Sequence, residues 1–355
     1  MSKRIYICHT FYHAYIACLK ELNLSKEERG NADLMLSTMS NDFGDLKIRA
    51  EKSGLFSAVY MYEEKEEQYF PQLAKYHKDR GNLVLNMVAR MRFTKLFGKL
   101  QAPFVPVNLK EYEYIYVFCD SDPIGYYLNR YKIPYHALED GLDCIRYYDT
   151  ARYDNRGHFA LKAWMASKNM IFIQNGYAKY CIDMEVNNIS VLPYPCPKYI
   201  EKPRKELTAN LSDDDKRTLV SVFMENLPQL EEQLALCPKG QKRALVLTEP
   251  LCDLETRKQI FSDIIRDYCK DCVVLMKPHP RDVLDYTQIF PEHIVISGKF
   301  PMEILNFIPG LSFDKVISVF TVPDAIEFAG ETIFLGEDFM DKYEAPEIHR
   351  QNEAI

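Results

Sequence analysis

Three side chains that can bind an anion or donate a proton, Lys277, His279 and Arg281, alternate with prolines in a short run of this 355-residue chain. The apolar segment 272–276 before them is typical of a buried parallel strand. The prolines fix φ and stiffen the loop that follows. Because open α/β sheets bind ligands beyond the carboxyl ends of their strands, the run predicts a phosphate site. A proline-stiffened turn with a capping histidine is the alternative.

Two aspartates follow predicted strands and could act as general bases. Asp253 lies just beyond the predicted strand 243–248, and Asp140 follows the predicted strand 134–138. A carboxylate at the end of a strand can take the proton of a substrate hydroxyl. Each aspartate could instead cap a helix or form a turn.

Hydroxyl groups near the end of the chain predict a second anion site. Ser318 and Thr321 precede Pro323, which is typical of the first turn of a helix. Hydroxyls and helix amides together bind anions, and simple capping is the alternative. Asp120 and Asp122 imitate the DxD metal motif, but both could be capping groups, and we predict no metal site.

Composition excludes several classes of protein. A net charge of −7 argues against a nucleic-acid partner, and no stretch of about 18 apolar residues predicts a membrane span. The chain enters its first strand without the leader of a signal peptide, and its ten scattered cysteines suit reduced thiols. We therefore expect a cytoplasmic protein. The glycine-rich motifs of dinucleotide and ATP sites are absent.

Strands and helices alternate in both halves, which predicts an α/β fold of two Rossmann-like domains facing a cleft. In the first half, strands are predicted at 4–8, 33–37, 57–62, 114–119 and 134–138, and helices at 12–22, 42–53, 68–78, 84–100 and 122–130. In the second half, strands are predicted at 243–248, 272–276, 293–296, 314–319 and 331–335, and helices at 254–268, 301–307 and 323–329. Four prolines within 193–203 predict a linker, and Ser212 followed by three aspartates predicts a helix start.

Short motifs stand in a particular order along the chain. They are Ile7-Cys8-His9-Thr10, Leu138-Glu139-Asp140-Gly141, Leu247-Thr248-Glu249-Pro250-Leu251-Cys252-Asp253, Lys277-Pro278-His279-Pro280-Arg281 and Ser318-Val319-Phe320-Thr321. Their order and spacing resemble the bacterial lipooligosaccharide sialyltransferases, glycosyltransferase family 52.

The resemblance implies a GT-B fold and inverting, metal-independent transfer of sialic acid from CMP-sialic acid, without a cofactor. The acceptor would be a galactose-ended surface glycan of lipooligosaccharide or capsule type. Residues 1–192 would form the acceptor-side domain, 193–240 the linker and connecting helix, and 241–355 the donor domain.

The resemblance also implies roles for single residues. Asp253 ranks first as the base, Asp140 is an acceptor-site or supporting carboxylate, and His279 neutralises CMP as it leaves. Further residues expected to bind the donor nucleotide are Thr248, Lys277, Pro280, Arg281, Phe300, Glu303, Ser318 and Thr321. Those expected on the acceptor side are Thr10, His13 and Gly141.

The predicted helix at 87–100 carries four cations and no acid. This pattern resembles a basic amphipathic helix that contacts an anionic inner membrane or a glycolipid acceptor. A solvated helix face over a core stripe is the alternative. We also expect a homodimer, which is common for enzymes of this class.

Other functions stay open at this point. A glycosyltransferase of the same fold could use another nucleotide sugar, as a glucosyltransferase does. A teichoic-acid-type glycerophosphotransferase uses similar Lys-Pro-His-Pro loops and also releases CMP. A nucleotide-sugar binding protein without activity is a third alternative, and the carboxylates beside the histidine loop argue against it.

Overall fold

The computed structural model describes residues 3–141, 143–146, 150–235, 237–238, 240–322 and 325–349. The chain forms two compact units, Met1–Leu211 and Ser212–Ile355. Each unit is built on a parallel sheet, as the alternating pattern predicts.

The first unit contains a seven-stranded parallel sheet in the order β3-β2-β1-β4-β5-β6-β7. Its strands are β1 Arg4–Cys8, β2 Ala32–Ser37, β3 Phe56–Tyr62, β4 Tyr114–Phe118, β5 Tyr135–Leu138, β6 Cys181–Val186 and β7 Tyr199–Glu201. The strand order reverses direction between β1 and β4, and such a switch point opens a crevice at the carboxyl ends of the strands.

Helices of the first unit are α1 Phe11–Leu22, α2 Leu46–Lys52, α3 Leu83–Leu100, α4 Pro123–Tyr131, α5 Asp143–Arg146, α6 Thr150–Tyr153, α7 Phe159–Ser167 and α8 Arg204–Ala209. Short 3₁₀ helices lie at Glu67–Tyr69, Pro71–Tyr76 and Leu109–Glu111. Buried residues on both faces of the central strands form the core, with Ile5 and Ile7 on one face of β1 and Tyr6 and Cys8 on the other. These near-continuous apolar strands are typical of a parallel sheet covered on both faces.

The second unit contains a five-stranded parallel sheet in the order β10-β9-β8-β11-β12. Its strands are β8 Lys242–Leu247, β9 Cys272–Lys277, β10 Ile294–Val295, β11 Phe313–Ser318 and β12 Ala329–Phe334. Its helices are α9 Asp213–Phe223, α10 Leu227–Ala235, α11 Leu254–Tyr268, α12 Tyr286–Ile289, α13 Gly336–Met340 and α14 Pro346–His349, with a 3₁₀ helix at Met302–Phe307. Here the switch point lies between β8 and β11.

Some predicted elements differ from those observed. The segment predicted as one helix at 68–78 forms two 3₁₀ helices, because Pro71 begins the second of them. The segment predicted as helix 301–307 is a 3₁₀ helix. Pro323 and residue 324, the start of the helix predicted at 323–329, lie outside the described residues, and β12 begins at Ala329.

The proline-rich segment 193–203 is not wholly a linker. Tyr199–Glu201 pairs with β6 at the edge of the first sheet, where flanking prolines are tolerated. The units divide between Leu211 and Ser212 instead. There Ser212 begins α9 in a capping box with Asp215, which confirms the predicted helix start.

Across the described part of the chain, no helix combines the length and the apolar character that crossing a membrane requires.

Candidate functional site

In the first unit, two histidines and an aspartate meet at the carboxyl end of the sheet. His9 follows β1, α1 carries His13, and Asp140 follows β5. The backbone N–H of His9 donates to Nδ1 of His13 at 3.0 Å, so the proton of His13 is on Nε2 and is donated to Asp140. Burial lowers the pKa of His13, although the Asp140 hydrogen bond opposes the shift. His13 is therefore a neutral donor.

Asp140 is ionised and partly accessible. Its side chain is 35% exposed, whereas His13 is fully buried and stacks on Phe118 at 4.3 Å between ring centroids. Burial, the largest single effect, raises the pKa of Asp140, but its interactions with His13, Cys119 and His9 together outweigh burial and bring the pKa to about 2. A rigid donor thus holds the carboxylate while part of it faces solvent, which suits a group that receives a proton from a bound hydroxyl.

The other predicted acceptor-side residues border this pair. Thr10 caps α1, and its Oγ1 accepts the backbone N–H of His13 at 3.1 Å. Gly141 directly follows Asp140, and a Cβ added there would meet no atom within 4 Å.

Glu64 and His9 belong to the same cluster, and sequence reasoning assigned neither a role. Buried Glu64 accepts from Nε2 of His9 at 2.8 Å, from the hydroxyl of Ser37 at 2.7 Å and from the backbone N–H of Ile124 at 2.6 Å. Glu64 stands in an acidic run that is typical of a solvated loop. Its position just after β3 was the signal, because that places it at the carboxyl edge of the sheet.

The two aspartates of the DxD sequence have different environments. Asp120 is buried and accepts from the hydroxyl of Tyr135 at 2.8 Å and the backbone N–H of Asn175 at 2.9 Å. Asp122 is the N-cap residue of α4 without a side-chain capping bond, and its Oδ2 lies 3.3 Å from Nε2 of His9. Burial raises the pKa of Asp122 to about 6.

The side chains of His9, His13 and Cys119 bring potential metal-ligand atoms within 4.8 Å of one another. Both ring nitrogens of His13 already have partners, one the N–H of His9 and the other Asp140. A metal ion at this point would have to break one of these hydrogen bonds.

In the second unit, the loop after β9 holds His279 between two hydrogen bonds. The backbone N–H of His279 donates to Oγ1 of Thr248 at 3.2 Å, and the N–H of Arg281 donates to Nδ1 of His279 at 3.1 Å. The proton of the imidazole is therefore on Nε2. Burial and the charges of Arg281 and Lys277 lower the pKa of His279 to about 4, so the ring is a neutral hydrogen-bond donor at pH 7.

Asp282 anchors this loop, a role that the sequence did not reveal. Its carboxylate pairs with Nη1 of Arg257 at 2.5 Å in a buried ion pair, and it accepts from the hydroxyl of Tyr286 at 2.7 Å. Asp282 thus ties the loop to α11, the helix that carries Arg257. This contact fixes the position of Pro280 and the exposed Arg281, which come just before it.

Lys277 is buried at the end of β9. Its Nζ donates to the carbonyl of Pro278 at 2.8 Å and lies 4.1 Å from the ring centroid of Phe300. Burial lowers the pKa of Lys277 to about 7, against the opposing charge of Glu303. Burial in turn raises the pKa of Glu303, which lies in the first turn of the 3₁₀ helix.

The predicted anion site in the loop after β11 is occupied by the side-chain carboxylate of Glu249. Buried Glu249 accepts the backbone N–H of Phe320 at 2.9 Å and both the N–H and the hydroxyl of Thr321. Ser318 does not contact this carboxylate, because its hydroxyl donates to the carbonyl of Thr321 at 2.7 Å. The loop therefore binds a carboxylate through two amides and a hydroxyl, which is the donor set that a phosphate also needs.

Asp253 is the N-cap residue of α11. One oxygen accepts the backbone N–H groups of Glu255 and Thr256, both at 3.0 Å, and the other accepts the hydroxyl of Thr256 at 2.7 Å. The hydrogen bonds from Thr256 lower the pKa of Asp253, which is exposed. This geometry is the helix cap that the sequence offered as the alternative to a base.

Comparison with known proteins gives a family match. The sequence model of glycosyltransferase family 52 matches residues 56–322, about three quarters of the chain. A local match, 33% identical over 82 residues, covers 22% of this chain and 26% of an uncharacterized protein from Haemophilus influenzae. The chain thus matches only about a quarter of that protein's length.

Two solved bacterial sialyltransferases are similar in fold. An α/β-galactoside α-2,3-sialyltransferase from Photobacterium phosphoreum matches with a TM-score of 0.53 and 13% identity, over 94% of this chain and 90% of that one. The GT-B domain of a sialyltransferase from Photobacterium damselae matches with a TM-score of 0.51 and 11% identity, over 90% and 86%. The expected GT-B fold is confirmed.

Proposed function

The chain belongs to glycosyltransferase family 52, and on that premise we propose that it is an inverting sialyltransferase. It moves sialic acid from CMP-sialic acid to a galactose-ended surface glycan of lipooligosaccharide or capsule type. The observation that carries this proposal is the partly exposed, ionised carboxylate of Asp140, held by the neutral imidazole of His13. Inverting transfer needs one such base for the acceptor hydroxyl.

In this mechanism, Asp140 takes the proton of the acceptor hydroxyl as that oxygen bonds to the anomeric carbon of sialic acid. The bond from that carbon to the phosphate of CMP breaks, and its electron pair stays with the phosphate oxygen. The Nε2–H of His279 donates a hydrogen bond to the departing phosphate. This proposal reverses the order in which the sequence ranks the aspartates, because the oxygens of Asp253 are engaged by α11.

Residues of the second unit make the remaining contacts with the donor nucleotide. Glu303 accepts hydrogen bonds from the ribose hydroxyls, and the backbone around Phe300 and Pro301 meets the nucleotide base. Lys277, Thr248 and the loop that ends at Thr321 favour a phosphate through positive charge and N–H or O–H donors. No metal ion takes part, since a monophosphate leaving group needs less neutralisation than a diphosphate.

Thermal unfolding with nucleotides tests the donor. We expect CMP to raise the unfolding temperature and UDP to leave it unchanged, and we expect sialic acid to be transferred from CMP-sialic acid to a galactose-ended acceptor. Stabilisation by UDP alone would point to another nucleotide sugar, as in a glucosyltransferase. Stabilisation by CMP with turnover of CDP-glycerol, and none of CMP-sialic acid, would point to a glycerophosphotransferase.

We also propose that the enzyme acts in the cytoplasm as a homodimer. All ten cysteines are free, and five of them are buried, which suits a reducing compartment. Light scattering of the purified protein tests the dimer, and a monomeric mass at micromolar concentration would contradict it.

A further inference from the structure

A basic pocket lies on the first unit, away from the cluster around Asp140. Its volume is about 280 Å³, and its walls include Lys95 of α3, Lys132 after α4, and Lys179 just before β6. α4 begins at the carboxyl end of β4 and ends just before β5 starts. Lys132 therefore lies at the amino-terminal ends of the strands, whereas Asp140, which follows the end of β5, lies at their carboxyl ends.

The charge of this pocket is of one sign. Five cations line it, and within the described part of the chain no carboxylate does; the cations are Lys95, Arg130, Lys132, Lys168 and Lys179. None of the five side chains has an ion-pair partner among the described residues. Like charges gathered in a concave site repel one another, so an anion bound there would lower the electrostatic free energy.

A buried amide in the pocket also lacks a partner. Asn129 is 1% exposed and lines the pocket, and its Oδ1 has no hydrogen bond among the described residues. Buried polar groups without partners are rare in folded proteins. The Oδ1 atom that lacks a partner is enclosed, so it is the NH₂ end of Asn129 that can donate to an anion in the pocket.

Exposed apolar side chains adjoin the same basic residues. On α7, Leu161 and Trp164 lie two turns and one turn before Lys168 on the same helix face, and Trp164 is 53% exposed. On α3, the exposed Val88 lies two turns before Lys95. An exposed tryptophan and aliphatic side chains beside clustered cations are typical of a surface that contacts a membrane interface.

This surface differs from the one predicted at 87–100. Arg90 is engaged inside the unit, where its guanidinium donates to Asn155 and to the carbonyl of Phe172 at 3.4 Å. Leu96 and Leu100 pack on a buried aromatic cluster. Of that helix, the side chains of Val88, Arg92, Lys95 and Lys99 are exposed, and α7 supplies the rest of the surface.

We propose that the pocket binds the phosphoryl group of an anionic lipid headgroup, with Leu161 and Trp164 inserted into the apolar edge of the membrane. The cations and Asn129 recognise the phosphoryl group, and the apolar side chains distinguish a lipid from a soluble anion. The site goes beyond glycosyl transfer, because it holds the enzyme at the surface on which a glycolipid acceptor would lie.

Trp164 is the only tryptophan of the chain, so its fluorescence reports on this surface alone. Vesicles of phosphatidylcholine with phosphatidylglycerol should shift its emission to shorter wavelength and sediment with the protein, while phosphatidylcholine vesicles should not. The triple variant Lys132→Gln, Lys168→Gln and Lys179→Gln should bind the anionic vesicles at least tenfold more weakly, since each cation near such a surface adds to the attraction.

A matched control removes three other exposed cations of the same unit, Lys26→Gln, Lys52→Gln and Lys110→Gln. It should bind vesicles like the original protein. Equal losses in both triple variants would overturn the proposal, because net charge alone would explain them. Inorganic phosphate binding that is lost in the pocket variant, without vesicle binding by the original protein, would overturn the assignment to a lipid.

Discussion

Two aspartates compete for the role of base, and their hydrogen bonds differ in kind. Asp140 accepts a hydrogen bond from a buried histidine and a long one from the thiol of Cys144 at 4.0 Å, whereas Asp253 accepts three from the first turn of α11. We predict that Asp140→Asn lowers kcat by about 10³-fold or more and leaves CMP affinity within about threefold, because the amide keeps the shape and loses the basicity. Steady-state kinetics together with CMP titration measures both.

Asp253→Asn is the matched comparison. Asparagine is also a good N-cap residue, so we expect little change in stability and a kcat within a few-fold of the original. A variant at Asp253 that is inactive, beside a variant at Asp140 that retains most of its kcat, would restore the ranking that the sequence favours.

Lys277 gives a pH dependence of stability. A buried lysine with a pKa of about 7 binds fewer protons than the unfolded chain between pH 7 and its ordinary value of 10.5, so the stability of the original protein rises with pH across that window. We predict that Lys277→Met raises the free energy of unfolding by up to about 5 kcal/mol at pH 6 and by about 3 kcal/mol less at pH 9. Urea unfolding at both pH values measures this difference.

The same gain at pH 6 and pH 9 would show that Lys277 keeps an ordinary pKa. Any change in packing between lysine and methionine contributes equally at both pH values, so the difference between them is the decisive quantity.

At the scale of elements, the register of the second sheet brings Glu249 to its loop. Ile317 of β11 pairs with Val246 of β8, so the residues just beyond both strands lie side by side. Glu249 then accepts the N–H groups of Phe320 and Thr321. If the donor phosphate uses the same amides, Glu249 must leave them when CMP binds.

We predict that Glu249→Ala lowers the unfolding temperature, because three donors lose their acceptor. CMP should then stabilise this variant more than the original protein, since its phosphate meets free amides and displaces no carboxylate. Thermal unfolding with and without CMP measures both effects. CMP that stabilises the original protein and not the variant would show that Glu249 supports the loop and does not occupy the phosphate position.

At the scale of the whole molecule, we predict that chelation leaves transfer intact. Asp120 is bound to Tyr135 and Asn175, and the donors proposed for the phosphate are a histidine, amides and hydroxyls. Transfer measured before and after dialysis against EDTA should agree within about twofold. Activity that is lost with EDTA and restored by manganese would make Asp122 and the neighbouring histidines metal ligands.

Much of the architecture could be predicted from the sequence, because it depends on local patterns. Apolar runs and helical periodicity predicted the strands of both sheets near the switch points, and the capping signal at Ser212 placed the start of α9. The last two strands of the first sheet were missed, because polar residues interrupt the apolar run of β6 and the three residues of β7 among prolines carry no period. The motifs were sufficient to recognise the family that the match over 56–322 confirms.

The roles of single polar residues were decided by tertiary structure. Sequence placed both Asp140 and Asp253 after strands, but only the fold brings His13 to the first and turns the second into the cap of α11. The acidic run around Glu64 gave no sign that this residue is buried, because its burial depends on which segments pack over the end of β3. The sequence by itself thus determined the strands that flank both switch points and the residues that follow them, because those are local properties. Which neighbour each of those residues meets is a contact between distant segments, and only the tertiary structure decided it.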